Sequence, residues 1–337
     1  MRMRSKKNAS AIPLLLGLGL CWPVAEAEIL YRGINLTGGE FARKKLPGQY
    51  GKDYIYPGPK DADYFLGKGM NAFRLPFLWE RLQPVAMGSF DEAELRRLDH
   101  IVDYITGKGA TVIIDLHNYA RYHGKVVGVD VPPAALADVW RRLAEHYRAN
   151  DRVMFGLMNE PHGLPTETWV ATANEAIAAI RATGSTQWIL VGGNAWSGAH
   201  SWKKTWYGTT NAEAMRTIVD PANRYFVEAH QYLDKDSSGT KADCVDTEKA
   251  MQRLVDFTDW LRETGKRGFL GEFAGGRSPE CVAALDALLT YVGKNDDVWI
   301  GWTYWAGGPW WGNYKFNLSP TKQDEDRPQL ETILKHL

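Results

Sequence analysis

Residues 153–193 read VMFGLMNEPHGLPTETWVATANEAIAAIRATGSTQWILVGG. The apolar run Val153–Asn159 ends on Asn159-Glu160, and ETWVATANEAIAAIRATG then follows with helical periodicity and a glycine stop. A second apolar run, Trp188–Gly193, closes the unit. Both runs are nearly continuous rather than alternating, as expected of parallel strands covered on both faces. Working outward, similar runs recur at Ile29–Leu36, Met70–Phe77, Thr111–His117, Tyr225–Tyr232, Gly268–Phe273 and Trp299–Trp305. Amphipathic stretches lie between them. FDEAELRRLDHIVDYITGKG has an acidic start and stops at Gly107 and Gly109, matching the helix dipole and a glycine cap. PAALADVWRRLAEHYRAN, TEKAMQRLVDFTDWLRETG, CVAALDALLTYVGKN and the final QLETILKHL read the same way. Eight strand–helix repeats predict an α/β chain folded as a single (β/α)8 TIM barrel over residues 28–337, in preference to a doubly wound sheet. No GxGxxG or GxxxxGK[ST] loop follows the first strand, and no Pro/Ser/Thr-rich linker announces a further module.

Composition narrows the function. The 337 residues carry 40 Lys+Arg against 40 Asp+Glu, so neither nucleic acid nor an anionic membrane surface is the expected partner. With 45% hydrophobic and 24% charged residues the chain can bury a large core. Its 14 Trp are many for this length, and indoles serve either as core or as platforms for flat apolar ligand faces. Residues 1–27 read as a secretory signal peptide. Arg2, Arg4, Lys6 and Lys7 precede an apolar run too short to span a bilayer, and Ala25-Glu26-Ala27 fits a cleavage site. Lipidation at Cys21 is disfavoured by the bulky Leu20 before it. The expected product is a secreted monomer, free of the membrane once the signal is removed. Export leaves Cys244 and Cys281 in an oxidising compartment with only each other as intramolecular partners, so a disulfide is inferred.

Barrel chemistry gathers at the C-terminal ends of the strands. Those ends carry Arg74, His117, Asn159-Glu160, His230 with Tyr232, Glu272 and Trp305. Packing alone does not account for so many polar groups, because each needs a partner once buried. Glu160 and Glu272 each terminate an apolar run. Two carboxylates facing one cavity are what cleavage of a glycosidic bond requires, one protonated to serve the leaving oxygen and one ionised. Arg74 could hold Glu272 ionised, and Asn159 could bond a sugar hydroxyl.

NEP at 159–161 and GEF at 271–273, together with RLP, DLHNYARY, AHQYLD and WTYWAGGPWWG in that order, resemble glycoside hydrolase family 5, most of all its secreted endo-β-1,4-glucanases. The resemblance runs from about Gly33 to Trp311. It implies a retaining double displacement acting on a β-glucan polysaccharide or oligosaccharide; no metal-ligand cluster is visible in the sequence, so no cofactor and no metal are expected. Glu160 would be general acid and then base, and Glu272 the nucleophile. Tyr232 and Arg74 would attend the nucleophile, Asn159 the 2-hydroxyl, and His117 and His230 would line the site. Trp305 would lie under the sugar next to the scissile bond. Retention also implies carboxyl groups about 5–5.5 Å apart. Some members of this branch carry a disulfide where Cys244 and Cys281 fall.

Trp196 and Trp310 are the further aromatics expected to stack on sugar, with Trp79, Tyr119, Trp202 and Trp311 as weaker candidates. His123 and His162 follow the site motifs, and the sequons at Asn35 and Asn317 read as chance matches. Mannan, xylan, xyloglucan and mixed-linkage glucan remain alternative substrates, since loops decide the sugar. A non-catalytic carbohydrate-binding barrel would require loss of one Glu, and both are present.

Overall fold

The computed structural model describes residues 28–337; the expected signal peptide and Cys21 lie outside the described residues. Eight parallel strands close into a barrel: β1 Tyr31–Leu36, β2 Ala72–Phe77, β3 Thr111–Leu116, β4 Val153–Gly156, β5 Ile189–Gly192, β6 Tyr225–Tyr232, β7 Gly268–Ala274 and β8 Trp299–Gly307. Each strand pairs with its sequence neighbours, and β1 closes the ring against β8. A small hairpin, Arg121–Tyr122 with Lys125–Val126, sits in the loop after β3. The (β/α)8 expectation holds.

The surrounding helices are α1 Pro59–Gly67, α2 Glu92–Gly107, α3 Pro133–Tyr147, α4 Thr166–Ala182, α5 Thr247–Thr264, α6 Pro279–Lys294 and α7 Pro328–Leu334. Their starts follow from capping chemistry. Asp91, Asp246 and Ser278 accept from the backbone N–H three residues on, satisfying a donor that has no partner within the helix. Two details differ from the sequence reading. The sequence did not mark α1, and after β5 the eighth helix is replaced by short turns, Ala199–Ser201, Asn211–Ala214 and Met215–Thr217. There Trp202 supplies the missing apolar cover. It is fully buried and packs its ring 4.6 Å from Phe257 and 5.2 Å from Trp260 of α5.

Two cores result. The larger lies between strands and helices, and the smaller fills the lower lumen with Ile113, Met154, Leu190, Phe226, Phe269 and Ile300, one from each of six strands. Among the described residues no helix is long and apolar enough to cross a membrane. The expected disulfide is present: Cys244, in the loop after β6, is bonded to Cys281 in the first turn of α6.

Candidate active site

Strand alternation turns the lumen from apolar to charged within two residues. β3 runs Ile113, Asp115 and β6 runs Phe226, Glu228, so a layer of carboxylates sits directly above the apolar floor. Arg74 of β2 is fully buried among them. Its Nη1 donates to Glu272 Oε1 at 2.9 Å and to Asn35 Oδ1 at 2.9 Å, and its Nη2 to Asn159 Oδ1 at 2.8 Å. Asp115 Oδ2 and Glu228 Oε1 lie 3.1 Å from the guanidinium as ion-pair contacts. Burial by itself would disfavour the charged guanidinium, but Asp115, Glu228 and Glu272 outweigh it and hold Arg74 firmly protonated. Burial pushes the Glu228 carboxyl up, while Arg74 and His230 pull it further down, so it stays ionised.

Glu272 reaches the lumen because β7 breaks its alternation. The register against β6 shifts between Ala229 and His230, so that His230 pairs with Glu272 and Phe273 turns outward into the larger core. Gly271 allows this: a Cβ there would come within 2.0 Å of Glu228 Oε1. Tyr232 donates its hydroxyl to Glu272 Oε2 at 2.6 Å, and burial followed by the Glu272 charge raises that phenol well above its usual range. Glu160 follows the end of β4 on a left-handed backbone, φ 45°, a conformation that costs energy for a non-glycine residue. Its Oε1 lies 2.8 Å from His230 Nδ1, and His230 Nδ1 lies 3.6 Å from Glu272 Oε2. One carboxylate oxygen from each glutamate and a His230 ring nitrogen lie within 4.8 Å of one another. Burial would depress the imidazole, but Glu272, Glu160 and Glu228 lift it to about 10. The side chain of Glu160 is 14% exposed against 4% for Glu272, so the first faces the cleft and the second the protein.

The remaining expected residues assemble around this pair. His117 Nδ1 lies 2.7 Å from Asp115 Oδ2, and its Nε2 lies 3.2 Å from Asn159 Nδ2 and 3.3 Å from the Tyr119 hydroxyl. Burial lowers the His117 pKa, and Asp115 more than reverses that. Trp305 stacks on His117 with ring centroids 5.5 Å apart and planes at 17°. Glu160 and Trp196 stand where two hollows meet. One, of about 260 Å³, is lined by Trp196, His200, Trp206, His230 and Tyr232. The other, of about 640 Å³, is lined by Arg43, His117, Tyr119, Arg121 and His162. Trp196 is 39% exposed and stacks on His162 at 4.6 Å.

Other aromatics fall elsewhere. Trp79 and Trp202 are core. Trp310, in the loop after β8, borders a depression that it lines with Trp311, Asn313 and Lys322. Asn35 and Asn317 are buried at 0% and 3%, which leaves neither sequon open to modification. Sequence reading missed Asp115, Glu228, Asn35, His200 and Trp206. The first two were findable, since each stands two residues before a singled-out histidine on the same strand face. His200 lies in the 3-10 turn Ala199–Ser201 and Trp206 in the loop that follows it, elements too short to carry a periodic signal.

A closed barrel with paired, differently solvated glutamates at its C-terminal mouth defines a carbohydrate-cleaving class of protein, the glycoside hydrolases. Comparison with known proteins narrows this. The family model described as cellulase (glycosyl hydrolase family 5) matches residues 32–308. Endo-β-1,4-glucanase B of Aspergillus niger is 41% identical over 289 residues, 86% of this chain and 84% of the relative. A probable endo-β-1,4-glucanase B of Neosartorya fischeri is 39% identical over 307 residues, 90% of this chain and 91% of the relative. Among solved structures, XacCel5A in complex with cellopentaose superposes with a TM-score of 0.90 at 49% identity, covering 92% of this chain and 99% of that one. The Pseudomonas stutzeri endoglucanase Cel5A in complex with cellobiose gives 0.84 at 37%, covering 91% and 92%. The chain belongs to glycosyl hydrolase family 5, the cellulase family.

Proposed function

We propose that this chain is a secreted, monomeric endo-β-1,4-glucanase that hydrolyses internal β-1,4-glucosidic bonds of cellulose and related glucans by retaining double displacement. The observation that carries the reading is the Glu160–Glu272 pair, held with oxygens inside 4.8 Å across one cleft. That oxygen-to-oxygen spacing accords with the about 5–5.5 Å between the carboxyls of retaining enzymes rather than the about 6.5–9.5 Å of inverting ones.

In this reading Glu272 attacks the anomeric carbon, and Arg74 and Tyr232 hold its two oxygens. Both bonds aim the carboxylate. Glu160 donates its proton to the departing glycosidic oxygen; the anomeric carbon–oxygen bond breaks as the Glu272 ester forms. Ionised Glu160 then takes a proton from water, whose oxygen displaces Glu272 and restores the starting configuration. His230, between the two glutamates, keeps a positive charge beside both. Trp305, held by its stack on His117, is the residue under the sugar undergoing attack. The leaving portion then lies beyond Glu160 in the hollow of Trp196, Trp206 and His200.

The relatives named endo-β-1,4-glucanase and the cellopentaose- and cellobiose-bound neighbours support glucan as substrate. The N-terminal 27 residues, basic then apolar, support secretion. A reducing-end assay over a polysaccharide panel, with viscometry on carboxymethylcellulose, tests the reading. Rapid viscosity loss per bond broken is expected, and activity confined to mannan or xylan would overturn it.

A further inference from the structure

We propose that Arg43, Lys44 and Arg121 make the wider hollow of the cleft a recognition site for carboxylate groups, so that the enzyme favours β-glucans carrying acidic substituents. All three line the hollow of about 640 Å³ that also holds His117, Tyr119, His162 and Glu160. Arg43 and Lys44 come from the loop after β1, and Arg121 from the hairpin after β3. The two arginines are held in place by one short segment. The Arg43 guanidinium lies 4.7 Å from the centre of the Tyr119 ring. Arg121 donates Nη1 to the Tyr119 and Ala120 carbonyls at 3.0 and 3.3 Å. Tyr119 and Ala120 both stand on left-handed backbone, φ 55°, a costly conformation that here turns two carbonyls toward one guanidinium. Nη2 of Arg121 has no hydrogen-bond partner among the described residues. It lies against Gly163, where a Cβ would come within 2.9 Å of it.

What these cations lack is a counter-charge. Lys45, next in the chain, is paired with Asp53 at 2.9 Å, whereas Arg43, Lys44 and Arg121 form no ion pair among the described residues. Burial weighs against the charge on Arg121, and Asp130, one of whose oxygens accepts from the Val126 N–H, offsets this only in part. The guanidinium stays cationic all the same. The same field reaches His162. Burial, then Arg121 and Arg43, depress its pKa despite its bond to the Glu160 carbonyl. The carboxylates of the hollow do not answer the excess. Glu80 spends its two oxygens on Asn118 Nδ2 and the His123 N–H, each at 2.7 Å. Glu160 serves as the acid and is protonated when substrate arrives. A carboxylate on a sugar is the matching group, because it accepts paired bonds from a guanidinium and neutralises a partly desolvated charge. Since Glu160 lines this hollow, a chain placed for cleavage carries its edge groups past the three cations. That the chain is a β-glucan rests on the function proposed above; the unpaired cations do not.

Two kinds of polymer supply that group: one whose own glucose C6 is oxidised to a carboxylate, and one that carries it on a side branch. C6-oxidised cellulose stands for the first and carboxymethylcellulose for the second, with hydroxyethylcellulose as the uncharged reference. kcat/KM on each is measured at low ionic strength for the full enzyme, for R43Q/K44Q and for R121Q. Arg43 and Lys44 are exposed, so the double variant should fold, and melting curves check both. The ratio of kcat/KM on acidic to uncharged substrate is expected to fall about five- to tenfold in R43Q/K44Q, chiefly through KM, and about threefold in R121Q. At about 0.5 M salt the difference should vanish, since charges are then screened beyond about 4 Å. A fall confined to C6-oxidised cellulose puts the carboxylate on the chain itself, and one confined to carboxymethylcellulose puts it on a branch. Either pattern, or both, supports the site. K45Q removes a cation of equal charge outside the hollow and should leave the ratio as it is. An equal fall in K45Q, or an unchanged ratio in both R43Q/K44Q and R121Q, overturns this inference alone. An enzyme that cuts none of the three polymers overturns it together with the proposed function.

Discussion

His230 Nδ1 lies 2.8 Å from Glu160 Oε1, and the other ring nitrogen lies 3.5 Å from buried Glu228. The imidazole thus joins the cleft-facing glutamate to the carboxylate layer beneath it. Its pKa rises from 6.5 to about 10, because Glu272, Glu160 and Glu228 more than offset the cost of burial. A pKa raised by folding gives stability that is fully present below the unfolded value, about 6.5, and is lost as pH climbs through about 10. Glu228 acts in the opposite sense: its lowered pKa gives stability present above about 4.5 and lost as pH falls below that. The melting temperature should therefore fall from neutral pH toward 10, and H230N should flatten that alkaline limb. A wild-type and a variant curve of equal alkaline slope would rule out His230 as its source.

Glu272→Ala should lower turnover by on the order of 10⁴-fold or more, with glucan binding and the melting temperature largely kept. Arg74 loses one of its carboxylate partners but retains Asp115 and Glu228, so the barrel should still fold. Added azide, entering the space left by the carboxylate, is expected to return activity and give a product of inverted configuration. Retained activity without azide would remove Glu272 from the nucleophile's role.

Glu160→Ala should divide substrates by leaving group. Glucans, whose departing alcohol needs a proton, are expected to slow by about 10²–10⁴-fold. An aryl cellobioside with an acidic phenol should form the glycosyl-enzyme at near the parent rate. Azide should then yield a product of retained configuration, because Glu272 remains. Equal losses on both substrate classes would count against Glu160 as the acid.

These predictions rest on residues of unequal visibility in the sequence. The barrel was legible because parallel strands buried on both faces leave uninterrupted apolar runs, and Thr111–Leu116 and Gly268–Ala274 fell almost where expected. Glu160 and Glu272 were legible for the same reason, as carboxylates ending such runs. What sequence could not convey was how Glu272 points inward. Strict alternation from Phe269 would place Phe273 in the lumen, and only the β6–β7 register shift corrects it. A shift in strand register is a property of two strands together, and neither strand's pattern contains it. Trp310 illustrates the other limit. Its place in the loop after β8 was legible, but the depression it borders with Trp311, Asn313 and Lys322 is built by chain segments that no single stretch of sequence brings together.

The Cys244–Cys281 bridge closes a loop of sequence separation 37 that contains α5 and β7, and so spans the strand bearing Glu272. Its sulfurs lie beside Gly275 and Gly276, directly after that strand: a Cβ on those glycines would meet Cys244 Sγ at 3.2 Å and Cys281 Sγ at 3.3 Å. Restricting the unfolded chain over a loop of this length is worth about 3–4 kcal/mol. The double variant C244S/C281S should lose up to that much stability in urea unfolding. Room-temperature kcat should change little, because Glu272 is positioned by Arg74 and Tyr232 rather than by the bridge. A large fall in kcat under conditions where the variant is fully folded would show instead that the bridge helps set the register of β7.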